Sequence, residues 1–176
     1  MSIQILNPRA DCITPAKPYT LHAHIGAQTT LGLVSNKIVD CDRFMGHIGE
    51  NIASRFPGIK IKYYATEKIT YADQSLIDQV ALECDAAVCA IGHCGSCTAG
   101  TVKDGIALVE KGCPSVSLVT QLFWTQAELL AKSLGWIDAP RVKLPYPVWG
   151  TSDSSMHEIC TGIVDNIIYR LENDHA

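Results

Sequence analysis

The sequence predicts an α/β fold: a single doubly wound, Rossmann-like or flavodoxin-like domain around a mainly parallel five-stranded sheet. Short runs rich in β-branched residues alternate with segments of helical periodicity, which is typical of βαβ units. The third run, AAVCAI at residues 86–91, is apolar throughout, as expected of a strand covered on both faces. With 176 residues, 47% of them hydrophobic, the chain is long enough to bury its own core.

The predicted strands and helices follow one another after residue 29. Strands are predicted at 30–35, 59–65, 86–91, 115–120 and 141–144. Helices are predicted at 40–56, at 74–83, from the loop after the third strand to about 111, from the fourth strand to about 134, and at 154–171. Phe44, Ile48 and Ile52 recur at helical spacing, which predicts that they face the core. Thr101 and Asp104 in the third helix resemble the capping box found at helix starts.

Residues 1–29 are predicted to form an extended N-terminal arm, and residues 30–176 the α/β domain. Pro8, Pro15 and Pro18 interrupt the arm, and no helical period appears in it. His22 and His24 would face the same way on a strand, where two imidazoles can share a metal ion. In such an arm they are better explained as surface or subunit-contact residues.

The charge and hydropathy of the chain exclude several classes of partner. The net charge is −4 and lysine and arginine are scattered, which argues against binding to nucleic acid. No segment approaches the roughly 20 apolar residues of a spanning helix, so no membrane partner is predicted. The stretch from Met1 to Asp11 lacks the apolar core of a secretion signal. A cytoplasmic location is therefore expected, with the eight cysteines reduced.

Two of the cysteines, Cys94 and Cys97, share a short glycine-containing loop directly after the third predicted strand. A cysteine reacts as the thiolate, and the N–H groups at the start of the following helix favour an anion there. Two cysteines separated by two residues can also form a disulfide, and this spacing near a βαβ pattern typically indicates redox chemistry. Cys94 comes first and lies farther from the helix body. We therefore predict that Cys94 is the attacking thiol and that Cys97 is the resolving thiol.

The other cysteines have simpler explanations. Cys84 and Cys89 fall in apolar stretches and Cys160 on the apolar stripe of the last helix, where a free cysteine packs as a small hydrophobe. Cys113 leads into a predicted strand. These residues are therefore predicted to serve packing rather than chemistry.

Further side chains are predicted to join the two thiols. In flavodoxin-like order the first and third strands are neighbours, so Asn36 and Lys37 would converge with His93 and Cys94 at the crevice. His93 and Lys37 would supply positive charge or transfer protons, and Gly95 would allow close approach or a left-handed turn. The predicted catalytic residues are Cys94, Cys97 and His93, and the predicted substrate-binding residues are Asn36, Lys37, Gly95, Ser96, Thr98 and Asp104.

No metal or cofactor is predicted. One Cys-x-x-Cys supplies two ligands and His93 would add a third, whereas a structural zinc site needs four. Neither a Gly-x-Gly-x-x-Gly run nor a phosphate-binding loop follows the first strand. Nothing in the sequence calls for a bound flavin.

The run Cys94-Gly95-Ser96-Cys97, preceded by Ala90-Ile91-Gly92-His93 and followed by Thr98, carries a family resemblance. From about residue 30 to 147 the chain resembles the UGSC-motif family of thiol and selenol proteins, whose defining run is selenocysteine or cysteine followed by Gly-Ser-Cys. The resemblance implies a Rossmann-like fold and thiol chemistry of the oxidoreductase type, with no defined substrate. Cys94 stands where some members carry selenocysteine, which supports Cys94 as the nucleophile.

The sequence is compatible with three functions, and the first is preferred. It is a thiol–disulfide or related oxidoreductase acting on a small-molecule or thiol/disulfide substrate. The second is a hydrolase, lyase or transferase in which Cys94 attacks a small carbon electrophile. There His93 or Asp104 would be the acid or base, and Asn36 or Thr98 would hold an oxyanion.

The third function is a non-catalytic subunit of a homo- or hetero-oligomer. Its contacts would come from residues 19–25 of the arm and from exposed tryptophans, for which the candidates are Trp124, Trp136 and Trp149. For these tryptophans, partial burial by packing is the preferred interpretation.

Overall fold

Among the described residues, 14–67 and 71–173 of a computed structural model, five parallel strands form one sheet in the order β2-β1-β3-β4-β5. The strands are β1 (Thr30–Ser35), β2 (Lys60–Ala65), β3 (Ala86–Gly92), β4 (Ser115–Thr120) and β5 (Arg141–Leu144). This is the predicted flavodoxin-like order, and the α/β fold class is confirmed. Residues 1–13 of the predicted arm lie outside the described residues.

Helices cover both faces of this sheet. They are α1 (Cys41–Arg55), α2 (Gln74–Glu83), α3 (Gly95–Glu110), α4 (Trp124–Ser133) and α5 (Asp153–Glu172), with a 3₁₀ turn at Gln121–Phe123 before α4. Helices α1 and α5 pack on one face, and α2, α3 and α4 on the other. As predicted, Phe44, Ile48 and Ile52 of α1 are fully buried, and each contributes about 1.5–3 kcal/mol of hydrophobic free energy.

The central strands bring the ends of β1 and β3 together. Every residue of β3 and β4 is buried, which confirms that the apolar run at 86–91 is covered on both faces. Strands β1 and β3 pair in parallel, with Ser35 opposite Ala90. The next residue, Asn36, continues this pairing, since its backbone N–H donates to the carbonyl oxygen of Ala90 at 3.0 Å. The loops after β1 and β3 therefore leave the sheet side by side at its carboxyl edge.

The described part of the arm, residues 14–29, packs along the opposite, amino edge of the sheet. The Lys17 N–H donates to the carbonyl of Gly135 (2.7 Å), and the Ala23 N–H to that of Leu171 (2.8 Å). The side chains of Tyr19 and Ile25 are buried within the chain itself. These two side chains are therefore taken up by the arm's own domain, whereas His22 and His24, the predicted surface or subunit-contact residues, are exposed.

The three tryptophans considered as contact residues are partly buried by packing, as the preferred interpretation expected. Trp124, Trp136 and Trp149 are all half-buried, and each packs against a hydrophobic cluster. Within residues 14–67 and 71–173, no helix combines the length and apolar character that crossing a bilayer requires.

Candidate active site

The two thiols lie at the carboxyl end of β3, where the chain turns into α3. Cys94 is the N-cap residue of α3, and its Sγ accepts a hydrogen bond from the backbone N–H of Cys97 at 3.2 Å. The Cα atoms of the two cysteines are 5.1 Å apart and their Sγ atoms are bonded as a disulfide. The structure thus joins the two cysteines that the sequence paired.

The N-cap position of Cys94 corrects the predicted capping box. Thr101 and Asp104 lie inside α3, which begins at Gly95. The Cys94 sulfur takes the place that a serine or aspartate oxygen usually occupies at a helix start. The side chains of Thr101 and Asp104 instead bind neighbouring segments of the fold.

The two cysteines differ in accessibility. Cys94 is half-buried, whereas Cys97 is 3% exposed and packs into the core beneath α1 and α5. The exposed Ser96 stands between them, with its Oγ 3.6 Å from the Cys94 sulfur. A molecule that approaches from solvent therefore meets Cys94 before Cys97.

Gly95 does not adopt the left-handed conformation that the sequence suggested. It is the first residue of α3 and is not among the residues with positive φ. A Cβ at this position would meet only the Gln126 side chain, at an ordinary distance of 3.7 Å. Gln126 Nε2 in turn donates to the Gly95 carbonyl at 2.7 Å, which ties α4 to the thiol loop.

The glycine that the packing does require is Gly92, at the end of β3. A Cβ there would lie 3.0 Å from Thr98 Oγ1 and 3.1 Å from Val119. The first turn of α3 therefore sits against the strand at a distance that only glycine allows.

His93 is held as a neutral imidazole. Its side chain is 1% exposed, and its Nε2 accepts a hydrogen bond from the Val148 N–H at 3.0 Å, so the proton of the neutral ring is on Nδ1. Burial also lowers the pKa of His93. The ring stacks on Trp149 (3.9 Å between centroids) and lies 4.7 Å from Tyr146. His93 thus fixes the loop after β5 against the thiol loop, and the predicted positive charge at this position is disfavoured.

Asn36 reaches the thiol region as predicted. Its side-chain amide donates to the carbonyl of Ile91 (3.0 Å) and to Thr101 Oγ1 (3.2 Å). Thr101 lies one turn after Cys97 on the same face of α3. Asn36 therefore joins the end of β1 to the strand and helix that hold the thiols.

Three buried polar atoms around this loop have no hydrogen-bond partner among the described residues. They are Asn36 Oδ1, His93 Nδ1 and Thr98 Oγ1. Buried polar atoms are normally paired with protein or water, so these three atoms are exceptions within the fold. Lys37, by contrast, has an exposed side chain and a positive φ of 55°.

Asp104 lies away from the thiols. It is nine residues into α3, which at 1.5 Å per residue is about 14 Å along the helix. Both of its carboxylate oxygens accept from the Ala72 N–H, at 3.0 and 3.1 Å, and burial raises its pKa to about 6. The expectation that Asp104 belongs to the site is not supported by this placement.

Sequence reasoning missed Gly92, Gln126, Val148, Tyr146 and Trp149 as parts of the site. Four of them lie after β4 or β5, whose carboxyl ends meet that of β3 in a parallel sheet. The sequence already predicted this topology, which could therefore have indicated that residues after β4 and β5 lie near the thiols. Within the described ranges, no group of three or more His, Cys, Asp or Glu side chains is arranged to hold a metal ion.

Comparison with known proteins extends the resemblance noted in the sequence. A model described as the UGSC family matches residues 4–173. This match includes the arm and the last helix, both of which lie outside the stretch 30–147. None of the curated proteins matches the chain. Because the family model covers nearly the whole chain, this protein belongs to the UGSC family.

Proposed function

We propose that this protein is a thiol–disulfide oxidoreductase in which Cys94 is the attacking thiol and Cys97 the resolving thiol. One observation carries the proposal: the two sulfur atoms lie at bonding distance while Cys94 is the more exposed of the pair. A pair of this kind can pass between the dithiol and disulfide forms without a large movement of the backbone.

The reaction proceeds in two exchanges. First, the Cys94 thiolate attacks one sulfur of a disulfide substrate, a mixed disulfide forms, and the other substrate sulfur leaves as a thiolate. Second, Cys97 gives its proton to solvent and attacks the Cys94 sulfur, and the substrate's remaining sulfur leaves as a thiolate. The substrate gains two electrons and the protein loses two. A dithiol reductant runs the same two exchanges backwards and restores the reduced protein.

The start of α3 favours the charge that this reaction needs on Cys94. A negative charge at a helix N-terminus gains about 0.3–1 kcal/mol at an exposed site. The Cys97 N–H already points at the Cys94 sulfur, and the Ser96 hydroxyl lies near it. Both groups can donate to a thiolate, whether Cys94 is attacking or leaving.

A non-redox cysteine enzyme would need an acid or base beside Cys94. His93 engages Nε2 with Val148, and Asp104 is about 14 Å along α3 from its first residue. The contacts of the described residues therefore favour the redox mechanism over this alternative.

The proposal is tested by trapping the mixed disulfide. Reduced Cys97→Ser, mixed with a small disulfide, should accumulate an adduct on Cys94, because no thiol is left to resolve it. Cys94→Ser should form no adduct at Cys97. Intact-mass and peptide mass spectrometry after an acid quench measure both outcomes.

Cys84→Ser is the matched control, since Cys84 is the least buried of the described free cysteines. It should oxidise to the Cys94–Cys97 disulfide as the wild-type protein does. The proposal fails if mild oxidation leaves Cys94 and Cys97 free while other cysteines react. A stable Cys94 adduct on a carbon electrophile, with turnover unchanged in Cys97→Ser, would support the non-redox alternative instead.

A further inference from the structure

Exposed apolar side chains stand on the loops that follow β1, β4 and β5, around the loop that carries Cys94. Val39 is 71% exposed, Leu122 61% and Tyr146 40%. These side chains follow strands that end at the same edge of the sheet as β3, which leads into Cys94, and large exposed apolar side chains grouped at one edge are typical of an interaction site.

Hydrogen bonds and ring contacts tie these loops to one another. Asp40 Oδ2 accepts from the Gly150 N–H at 2.7 Å, which holds the loop after β1 against the loop after β5. Trp149 and Tyr146 of the latter loop both lie on the ring of His93, the residue before Cys94. The loops after β1 and β5 therefore flank the thiol loop from one side.

The loop after β4 closes the other side. Phe123 lies 6.5 Å from Tyr146 between ring centroids, and Gln126 binds the carbonyl of Gly95, the residue after Cys94. We call the resulting apolar surface the docking rim; its members are Val39, Leu122, Phe123, Tyr146 and Trp149.

The docking rim carries little charge. Residues 36–40, 120–124 and 145–150 contain Lys37 and Asp40 as their charged residues. Asp40 is already paired with Arg43 at 3.2 Å, so the exposed Lys37 is the cation that remains for a ligand. Glutathione disulfide carries several carboxylates and few apolar groups, which this surface matches poorly. A polypeptide with apolar side chains beside its cystine, and a single carboxylate, matches it well.

We propose that the docking rim binds an extended polypeptide segment around a cystine, so that the disulfide substrate of Cys94 belongs to a protein rather than to a small thiol. This inference rests on the proposed thiol–disulfide function. The apolar side chains of the partner would cover Leu122 and Tyr146, its carboxylate would pair with Lys37, and its sulfur would meet Cys94. Apolar burial would thus hold the partner's disulfide against the attacking sulfur.

The test compares three disulfides as oxidants of the reduced protein in a single turnover. The probes are a peptide whose cystine is flanked by leucine, phenylalanine and one glutamate, the same peptide with serine flanks, and glutathione disulfide. Formation of the Cys94–Cys97 disulfide is followed by rapid quench and mass spectrometry. The apolar peptide should react at least about tenfold faster than either other probe, which corresponds to about 1.4 kcal/mol of binding.

Two leucine variants separate docking from chemistry. Leu122→Glu should slow the reaction with the apolar peptide about tenfold while leaving glutathione disulfide within about twofold. Leu129→Glu, at a similarly exposed leucine (64%) farther along α4, should change neither rate. Equal rates for all three probes, or equal losses in both variants, would overturn the docking proposal. If no probe produces the Cys94–Cys97 disulfide, the redox function itself fails.

Discussion

Two groups of cysteines in this protein have opposite surroundings, although Cys89 of one and Cys94 of the other are only five residues apart in sequence. Cys84, Cys89 and Cys113 are buried in the hydrophobic cluster on the α2 and α3 side of the sheet. Burial raises the pKa of all three, that of Cys113 to about 12. Cys94 and Cys97 lie just past the end of β3, where the start of α3 supplies an N–H to the Cys94 sulfur.

The difference teaches that position along the strand, rather than residue type, decides what a cysteine does here. Cys89 is inside β3 and is covered on both faces, so its thiolate would be an unsolvated charge. Five residues later, Cys94 has left the sheet and meets both solvent and a helix N-terminus. Among the described residues, the free cysteines are all buried, and Cys94 is the cysteine with access to solvent.

The largest expected effect is in thiol labelling of the fully reduced protein at pH 7. With a pKa of about 12, roughly one Cys113 thiol in 10⁵ is a thiolate. Cys160 is buried with a similar pKa and serves as a second reference. Iodoacetamide should label Cys94 at least about 10³-fold faster than either, as measured by time-resolved peptide mass spectrometry. If Cys94, Cys113 and Cys160 are labelled at similar rates in the folded protein, the proposed difference between accessible and buried cysteines is contradicted.

The next effect concerns Asp104, which is buried like the first group of cysteines and lies away from Cys94 and Cys97. Its folded-state pKa of about 6 exceeds its unfolded value of 3.8, so the folded protein binds this proton more tightly. The free energy of unfolding should therefore fall as pH rises from about 4 to 6, by roughly 2–3 kcal/mol. Asp104→Asn keeps an oxygen for the Ala72 N–H and should remove this loss, as urea unfolding at several pH values would show.

Asp78→Asn is the control for Asp104. Asp78 is exposed, and hydrogen bonds from Lys111 and Gln74 lower its pKa. Its contribution has the opposite sense, because it is present above pH 4 and lost as pH falls. If Asp104→Asn leaves the change in unfolding free energy between pH 4 and 6 as it is in the wild-type protein, the raised pKa of this buried carboxyl is contradicted.

The smallest expected effect is a change in the free energy of unfolding that tests how Cys94 and Cys97 are positioned. Gly92→Ala would press a methyl group against Thr98 and Val119, and should lower the free energy of unfolding by about 1–3 kcal/mol. Gly162→Ala in α5 has no neighbour within 4 Å and should instead raise it by about 0.5–1 kcal/mol. Thermal unfolding measures both. If the two variants change the free energy of unfolding by similar amounts, the close packing of α3 against β3 does not constrain the thiol loop.

Much of this fold could be predicted because it follows from local periodicity. The strand boundaries of β1, β4 and β5 agree with the sequence prediction, and the inward residues of α1 are buried as their spacing indicated. The strand order then placed Asn36 beside β3, because parallel strands that are neighbours end at the same edge.

The misplaced residues were those whose roles depend on contacts between distant segments. The protonation of His93 is set by Val148, 55 residues later in the chain. Asp104 was expected to bind substrate or to act as an acid or base, but its carboxylate accepts a hydrogen bond from the Ala72 N–H. Gly95 was expected to allow a close approach or a left-handed turn, whereas it is the first residue of α3, which begins well before the Thr101 position suggested by the capping pattern.

The sequence by itself determined that Cys94 and Cys97 are close enough to pair and that they follow a buried strand, since both facts depend on spacing along a few residues. Only the tertiary structure decided which thiol is accessible, what surrounds it and which polar groups reach it. The reason is physical: accessibility, stacking and hydrogen bonding at this loop come from β1, β4 and β5, which meet the end of β3 only when the sheet has formed.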